Sequence, residues 1–229
     1  MKVKNLTPMV YEKTSDGEVF YDIFSRLIKE RIIFLTEAID AEVASTIAAT
    51  LFFLDHQDSD EDISLYINSP GGAVDEGLFV IYDMMQLIKA PIKTVCIGEA
   101  MSAAALILAS GTKGKRYALP NSKIMIHQVQ VDGVGGTGTD VMNQAKSIKE
   151  LKKRLTELLA RHCNQSYRKV YADCELDKFM TAEEALEYGI IDSILQPSKE
   201  IPPLIKNKKE KKKKNELDEQ KNLKDDSEH

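Results

Sequence analysis

Short apolar runs and longer amphipathic stretches follow one another along this chain. Short, largely apolar runs predict strands, at residues 31–35, 63–68, 92–97, 116–119, 123–127 and 190–195, and the first of them is β-branched as expected of a buried strand. Apolar residues that recur every three or four positions predict helices, at residues 41–54, 75–89 and 139–163. The repeated order of strand, turn and helix predicts an α/β superhelix of stacked strands and helices, one of the helices long. It does not fit a closed barrel or a Rossmann sheet.

Cap and breaker residues support several of these boundaries. Pro91 is expected to end the helix over 75–89. Thr181 and Glu184 have the spacing of a capping box, which predicts a short helix that begins after Thr181. Gly189 then follows this helix as its C-cap.

A serine stands in an alanine-rich apolar stretch, 98–109, directly after the predicted strand 92–97. Gly98 is expected to take the sharp bend, and the alanine and leucine run predicts a helix. Ser102 would then lie at a strand-to-helix turn, where the first backbone N–H groups have no acceptor inside the helix. Such a turn suits a nucleophile with oxyanion donors beside it. A serine that only caps a buried helix fits the same pattern.

Charge is distributed unevenly along the chain. The net charge is −5, and residues 206–229 carry 9 basic and 7 acidic side chains, which leaves 22 basic and 29 acidic side chains in the body. An acidic body argues against a protein dedicated to binding nucleic acid. From Pro202 onward the sequence is lysine-rich and low in hydrophobicity, which predicts a disordered tail.

Cysteine usage and the lack of signal segments bear on the cellular compartment. Cys96, Cys163 and Cys174 have no CxxC spacing and are expected to be free thiols in a reducing compartment. We find no secretory signal, and no apolar run approaches the roughly 20 residues of a membrane helix. We therefore expect a soluble, cytoplasmic protein without membrane contacts. Neither 133–138 nor 111–115 matches a nucleotide-binding motif, so no cofactor or metal is expected.

A serine nucleophile needs an adjacent base. Of the four histidines, His127 alone closes a predicted strand, one strand–loop unit after Ser102, so the two side chains are candidates to meet on one rim. A histidine at a strand end also fits a purely structural role. The others lie in an acidic loop, near a helix end and in the tail, as His56, His162 and His229.

The base in turn needs a carboxylate that fixes its tautomer. Asp177 stands shortly before the capped helix, and the spacing leaves three rivals open, namely Asp173, Glu175 and Asp140. Gly71 and Gly72 follow another predicted strand and would offer a bare backbone N–H to an oxyanion, although a tight turn explains the pair equally well.

Several segments, in order and at near-constant spacing, give the chain a family resemblance. They are Tyr66–Gly72 (YINSPGG), Gly98–Ala105 (GEAMSAAA), Lys113–Ser122 (KGKRYALPNS) and Met125–Gln128 (MIHQ), with shorter matches at Asp22–Leu27 and Ala185–Gly189. On these segments the chain resembles the ClpP family of caseinolytic serine peptidases from about Thr7 to Leu195.

The resemblance implies a set of site residues. It makes Ser102 the nucleophile, His127 the general base and then acid, and Asp177 the orienting carboxylate. It places the oxyanion donors at the backbone N–H groups of Gly72 and Ala103. An unfolded polypeptide would bind as an added β-strand beside four glycines, Gly71, Gly133, Gly135 and Gly136.

The resemblance also implies a fold and partners. The fold would be the superhelix shared by ClpP and crotonase proteins, with an axial segment at 1–18, a peptidase domain at 19–200 that contains a handle helix at 139–163, and the tail at 201–229. Rings of seven, two of them stacked, would enclose the sites. A hexameric AAA+ unfoldase of the ClpX, ClpA or ClpC type would dock near Tyr66 and Leu87 and consume the ATP, which this chain does not bind.

The chain departs from the family pattern at several positions. Alanines follow Ser102 where Met-Gly is usual, and one extra residue follows Gly77. Leu176 replaces an arginine that pairs across the two rings, Thr137 stands near the place of its partner, and Val129 replaces a proline. The three catalytic residue types are intact, so peptidase activity is expected, while the stacking of two rings stays open.

Two other function classes remain. A crotonase-type acyl-CoA enzyme would use the glycine turns as a thioester oxyanion hole, and Ser102 with His127 at family spacing counts against it. A ring subunit with little or no activity, working with a catalytic paralogue, would explain the changes at Leu176 and Thr137.

Overall fold

The computed structural model describes residues 7–14, 17–131 and 133–199, and residues up to Gln196 form one compact unit. In chain order its elements are β1 (Met9–Thr14), β2 (Gly17–Asp22), α1 (Ile23–Ile28), β3 (Ile32–Leu35), α2 (Ala41–Gln57), β4 (Ile63–Ser69), a π-helical turn (Val74–Leu78), α3 (Phe79–Leu87), β5 (Ile92–Met101), α4 (Ala103–Ala109), β6 (Arg116–Ala118), β7 (Lys123–Ile126), α5 (Gly138–Cys163), α6 (Tyr167–Asp173), β8 (Lys178–Met180), α7 (Ala182–Tyr188) and β9 (Ser193–Ile194).

One sheet organises the fold. Its strands run in the order β3, β4, β5, β6 and β9, and every pairing along this path is parallel. β7 leaves the path, because it pairs in parallel with the far end of β5 and antiparallel with β8. β1 and β2 form a separate antiparallel hairpin. The predicted α/β class is confirmed. β6 and β7 pair with different parts of β5, and the site described below lies where β7 pairs with the end of β5.

The core lies between the sheet and the helices. Alternate residues of β4 are fully buried, and so are all seven residues of α4. A helix that is apolar all round has to be surrounded by other elements. The strand–helix unit that carries Ser102 is therefore the centre of the fold, and its backbone is held rigidly by packing.

The sharp turn predicted at Gly98 stands at Ser102 instead, although the register of β5 against β4 does shift around Gly98, between the Ile67–Cys96 and Ser69–Ala100 pairs. Gly98 lies inside β5, and a Cβ atom added there would come within 2.3 Å of Oδ1 of Asn68. This oxygen accepts a hydrogen bond from the N–H of Glu99. The glycine therefore makes room for a side chain of the neighbouring strand, and the chain turns later, at Ser102.

The helix predicted over 75–89 begins with an irregular turn. Residues Val74–Leu78 form a π-helical turn, in which the N–H of Leu78 donates to the carbonyl oxygen of Ala73, before α3 continues to Leu87. Such a turn holds one residue more than an α-helical turn. The extra residue noted after Gly77 falls at this turn.

The long helix α5 is buried over only part of its length. Its start is fixed by a capping box, in which Thr137 and Asp140 exchange hydrogen bonds. Near its C-terminus Leu159 and Ala160 are buried in the core. In its first turns Val141 and Met142 are 39% and 74% exposed. The apolar stripe of the N-terminal half thus has no complete cover within the described part of this chain.

Some sequence expectations differ from the structure near the C-terminus. The capping box at Thr181 and the left-handed C-cap at Gly189 are confirmed. The last strand is only Ser193–Ile194, shorter than the predicted 190–195, and neither α6 nor β8 was predicted. The tail at 201–229 and the first part of the segment at 1–18 lie outside the described residues.

Candidate active site

Ser102 occupies a sharp, strained turn between β5 and α4. Its backbone has φ of 56° and ψ of −122°, a conformation that non-glycine residues seldom adopt and that costs on the order of 1–3 kcal/mol. Its N–H donates to the carbonyl oxygen of Met125 at 2.8 Å, which ties the turn to the end of β7. A strained strand-to-helix turn of this kind projects a nucleophilic side chain out of the sheet edge.

His127 meets Ser102 because β7 lies beside the end of β5. Met125 is in register with Met101, so the residues that follow the two strands are neighbours in space. The distance from Nε2 of His127 to Oγ of Ser102 is 2.7 Å, which is a hydrogen bond. The imidazole is 11% exposed, so it is largely shielded from water and still reachable from the cleft.

Asp177 stands on the other side of the imidazole. β7 and β8 are antiparallel with Ile126 opposite Lys178, and continuing this register places Asp177 opposite His127. Oδ1 of Asp177 lies 3.4 Å from Nδ1 of His127, and its side chain is 52% exposed. This contact is longer than a good hydrogen bond, as is common at catalytic groups before substrate binds.

The rival carboxylates are occupied elsewhere. Glu175 pairs with Lys152 at 2.6 Å, and Asp140 caps α5. Asp173 accepts from Lys178, Lys169 and the hydroxyl of Tyr188. Partial burial works to raise the pKa of Asp173, but these hydrogen bonds outweigh it and lower the pKa to about 2. The structure therefore brings Asp177 to His127, an outcome that the spacing left open.

Two of the other histidines are also engaged away from Ser102. His56 contacts the carbonyl oxygen of Phe52 on its own helix. Nε2 of His162 lies 2.9 Å from the hydroxyl of Tyr82, and burial, aided by the charge of Arg116, lowers the pKa of His162. His229 is outside the described residues.

The glycine turn after β4 packs against the start of α4. A Cβ atom on Gly71 would lie 2.8 Å from Cβ of Ser102 and 3.0 Å from the backbone nitrogen of Ala103. Ile39 locks the turn, since its N–H donates to the oxygen of Gly71 and its own oxygen accepts from the N–H of Ala73. Among the described residues, no acceptor is bonded to the N–H of Gly72 or of Ala103. Two N–H groups without an acceptor in those ranges thus belong to residues that line the same cleft as Ser102.

These groups share one cleft of about 670 Å³. Ser102, His127 and Asp177 form its polar end, together with Gly72 and Ala103. The remaining wall is mainly apolar, with side chains from the π-helical turn, α4, β7 and α5, namely Val74, Leu78, Leu106, Met125, Leu155 and Leu159. A cleft of this kind accepts an apolar side chain next to a nucleophile.

Cys174 also lines this cleft, but its thiol is a poor rival nucleophile. Burial raises the pKa of Cys174 to about 11, so it stays protonated at neutral pH. All three cysteines are free, as the sequence predicted, and the structure buries all three.

Comparison with known protein families connects this geometry to a function class. A family model described as Clp protease matches residues 15–198, which include every element from β2 to β9. The chain belongs to the Clp protease family. The resemblance to the ClpP family is thereby confirmed, and membership supports a ClpP-type peptidase that associates with Clp unfoldases and forms rings.

The structure of this Clp protease does not bring all predicted binding residues to the cleft. Gly71 adjoins Ser102, whereas Gly133, Gly135 and Gly136 are not among the residues that line the cleft. The backbone N–H and carbonyl oxygen of Gly135 are both hydrogen-bonded to the side-chain amide of Gln144.

The two predicted docking residues lie on other elements of the sheet and helices. Tyr66 stacks on Phe34, with ring centroids 5.4 Å apart, and Leu87 is 71% exposed at the end of α3. Their role as a docking site stays a prediction.

Sequence reasoning missed Lys152. This α5 residue lines the cleft and contacts both Gln128, beside His127, and Glu175, near Asp177. No local signal announces it, since its partners are 24 and 23 residues away in the chain.

Metal sites and membrane-spanning helices were sought among the described residues. Within 7–14, 17–131 and 133–199, no group of histidine, cysteine, aspartate and glutamate side chains has the arrangement of a metal site. In the same ranges, no helix has both the length and the apolar character needed to cross a bilayer.

Proposed function

We propose that this Clp protease is a serine endopeptidase that hydrolyses unfolded polypeptides, with Ser102 as its nucleophile. The observation that carries the proposal is the 2.7 Å contact between Oγ of Ser102 and Nε2 of His127. Asp177 on the opposite ring nitrogen completes the arrangement of a serine-hydrolase triad. An alcohol, a base and an orienting carboxylate in this order are the parts that acyl transfer needs.

The first half of the reaction forms an acyl-enzyme. Nε2 of His127 accepts the proton of Ser102 while Oγ attacks the scissile carbonyl carbon. The negative charge that develops on the carbonyl oxygen is bound by the N–H groups of Gly72 and Ala103. One such donor is typically worth about 10²–10³-fold in kcat. Both donors are backbone groups. The N–H at position 103 is therefore retained although an alanine stands there instead of the usual methionine.

Each half of the reaction releases one product. The first half ends when the imidazolium of His127 gives its proton to the leaving amine and the C–N bond breaks, which leaves the acyl group on Oγ of Ser102. In the second half a water molecule, deprotonated by the same nitrogen, attacks this ester, and His127 returns the proton to Oγ as the carboxylic acid leaves. Asp177 stabilises the imidazolium and holds the proton-bearing Nδ1 toward itself. No metal or cofactor takes part in these steps.

The substrate and the assembly follow from the cleft and the family. The largely apolar wall suits an extended chain whose apolar side chains are exposed, as in an unfolded protein. Rings of seven subunits would enclose the clefts, and a hexameric AAA+ unfoldase would deliver the substrate at the expense of ATP. The exposed apolar stripe at the start of α5 gives such an assembly a surface to cover.

Active-site labelling tests the proposal. We expect a fluorophosphonate probe to label the purified protein at Ser102, and Ser102→Ala to abolish both labelling and peptide cleavage. Ser45→Ala is a matched control, because Ser45 is an exposed serine on α2 whose hydroxyl bonds to its own helix. Labelling that persists in the Ser102→Ala protein, or a folded wild-type protein that neither reacts nor cleaves, would overturn the assignment.

A ring subunit with little activity is the second candidate. Leu176 is 82% exposed and carries no charge, and Thr137 is committed to the N-cap of α5, so neither offers an ion pair to a second ring. Native mass spectrometry with and without a peptide substrate separates the two candidates. A stable seven-subunit species without peptidase activity would favour this reading, and so would activity that appears only when a paralogous subunit is added.

A crotonase-type enzyme makes a different prediction. It would bind a CoA thioester tightly in the absence of any peptide. The Ser102–His127 hydrogen bond has no part in such a mechanism and counts against it.

A further inference from the structure

The carboxylate of Asp177 is weakly held. Its side chain is 52% exposed, and among the described residues its single polar contact is the 3.4 Å approach to Nδ1 of His127. No backbone N–H or second side chain in those ranges fixes its orientation. Its distance from the imidazole therefore depends on the backbone on both sides of it. On the C-terminal side this is β8, which pairs with β7, and on the N-terminal side it is the segment at 174–177.

That segment is fastened to the residue that follows His127. The N–H of Gln128 donates to the carbonyl oxygen of Cys174 at 2.7 Å, and the side-chain amide of Gln128 donates to the carbonyl oxygen of Glu175 at 3.0 Å. The backbone that carries His127 and the backbone that leads to Asp177 are thus both bonded to Gln128.

Lys152 joins this contact from α5. Its Nζ donates to Oε1 of Gln128 at 2.9 Å and to Oε1 of Glu175 at 2.6 Å, and it lies 4.2 Å from the centre of the Tyr171 ring. The lysine side chain is only 18% exposed. The hydrogen bond with Glu175 raises the pKa of Lys152, so the ammonium group stays charged at any pH where the protein would work.

We propose that Lys152 is a positioning residue, which holds the Asp177 segment against His127 from outside the triad. This inference rests on the proposed peptidase function and adds a residue to it. Lys152 bonds to Gln128, which follows His127, and to Glu175, two residues before Asp177. It contacts neither reacting atom, so it acts through the His127–Asp177 distance. Without it, Oε1 of Gln128 loses its donor, Glu175 loses its cation, and the exposed carboxylate of Asp177 is free to turn toward water.

The variant Lys152→Met tests this directly. Methionine keeps the apolar stem against the cleft wall and removes the charge. We expect kcat for a fluorogenic peptide to fall by about 10²-fold, the effect of a misplaced catalytic group, while KM changes by less than about threefold, because the substrate-binding wall is kept. Lys152→Arg retains a cation over Tyr171 and should recover much of the loss. Lys153→Met is the matched control, because the neighbouring Lys153 is 67% exposed and its one ion pair among the described residues is with Glu157 on the same helix.

A double-mutant comparison separates positioning from general destabilisation. If Lys152 acts through Asp177, Lys152→Met should cost almost nothing further in an Asp177→Asn background, since residues that act as one unit are not additive. Equal fold-losses in both backgrounds, or a loss in the single variant that tracks a lowered thermal midpoint and is not rescued by arginine, would overturn the inference. A wild-type protein that Ser102-directed probes do not label would instead defeat the proposed function.

Discussion

Gly71 touches the turn that carries Ser102. A Cβ atom at Gly71 would lie 2.8 Å from Cβ of Ser102 and 2.6 Å from the carbonyl oxygen of Met101, and Gly71 itself has φ of +93°. Both the backbone conformation and the space therefore require glycine. The loop after β4 and the turn after β5 are built as one unit, in which neither can move without the other.

This relationship predicts the effect of Gly71→Ala. The left-handed conformation alone costs an alanine about 1–2 kcal/mol, and the added methyl group would also push the Ser102 turn out of place. We expect a lower free energy of urea unfolding and a fluorophosphonate labelling rate reduced by at least about tenfold, in line with the sensitivity of catalysis to misplacement.

Gly114→Ala is the matched control for that variant. Gly114 has φ of +86°, yet no atom in the described part of the chain lies within 4 Å of its added Cβ atom. It should show the conformational cost alone, with labelling unchanged. Equal losses of stability and of labelling in the two variants would contradict the close packing of Gly71 against Ser102.

Asp177→Asn should separate activity from stability. An asparagine no longer stabilises the imidazolium and permits the wrong tautomer, so kcat should fall by up to about 10⁴-fold. Because the side chain is 52% exposed, the thermal midpoint should change little. Asp60→Asn, an exposed aspartate in the loop after α2, should leave both quantities unchanged. Wild-type turnover in the Asp177→Asn protein would exclude Asp177 as the orienting group.

The lowered pKa of Asp173 predicts that the free energy of unfolding decreases at acid pH. Partial burial opposes ionisation, but Lys178, Lys169 and Tyr188 lower its pKa from 3.8 to about 2 in the folded chain. A carboxylate whose pKa is depressed by folding stabilises the native state above its unfolded pKa. This contribution, about 2 kcal/mol, should disappear as the pH falls from about 4 to about 2.

Unfolding free energies of the wild-type protein and Asp173→Asn, measured by urea titration at several pH values, check this contribution. The difference between the two proteins should be full at pH 6 and shrink below pH 4. A difference that stays constant down to the lowest pH would show that the interactions of Asp173 do not depend on its charge.

The exposed start of α5 predicts a surface used in assembly. Met142 is 74% exposed and Val141 39% exposed, so replacing both by lysine should leave the fold of one subunit intact. The assembly measured by native mass spectrometry should shift toward single rings or free subunits, because charged side chains oppose burial of the stripe. Lys149→Gln, an exposed change on the same helix, should leave the assembly unaltered. Unchanged assembly in the double variant would exclude this stripe as an interface.

Local sequence signals predicted the elements whose pattern is complete within a few residues. β3, β4 and the helices α2 and α5 stand near their predicted bounds, since a buried run or a long amphipathic stripe needs no distant partner to be recognised. α6 was missed because Val170 is its one buried residue, which leaves no stripe to read. β8 was missed because it has three residues, too few to show a period. β9 lies within the predicted strand 190–195 but has only two residues.

The features of the site also fall into those that the local sequence predicts and those that depend on distant contacts. The residue types and their order along the chain are properties of the sequence, and they were enough to single out Ser102, His127 and the glycine pair. The sequence prediction put the sharp turn at Gly98, four residues before its actual position at Ser102. The glycine is needed because the side chain of Asn68, on the neighbouring strand, occupies the space of a Cβ atom, and the local sequence does not show this contact.

By itself, the sequence determined the alternation of strands and helices, the caps at Thr181 and Gly189, and a short set of candidate acids, bases and nucleophiles. Only the tertiary structure decided which carboxylate faces His127 and that Lys152 reaches both of their neighbours. Those contacts depend on the register of β7 against β5 and β8 and on the packing of α5 across the sheet edge. Register is fixed by burial summed over whole strands, so it cannot be deduced from the few residues that lie in the site.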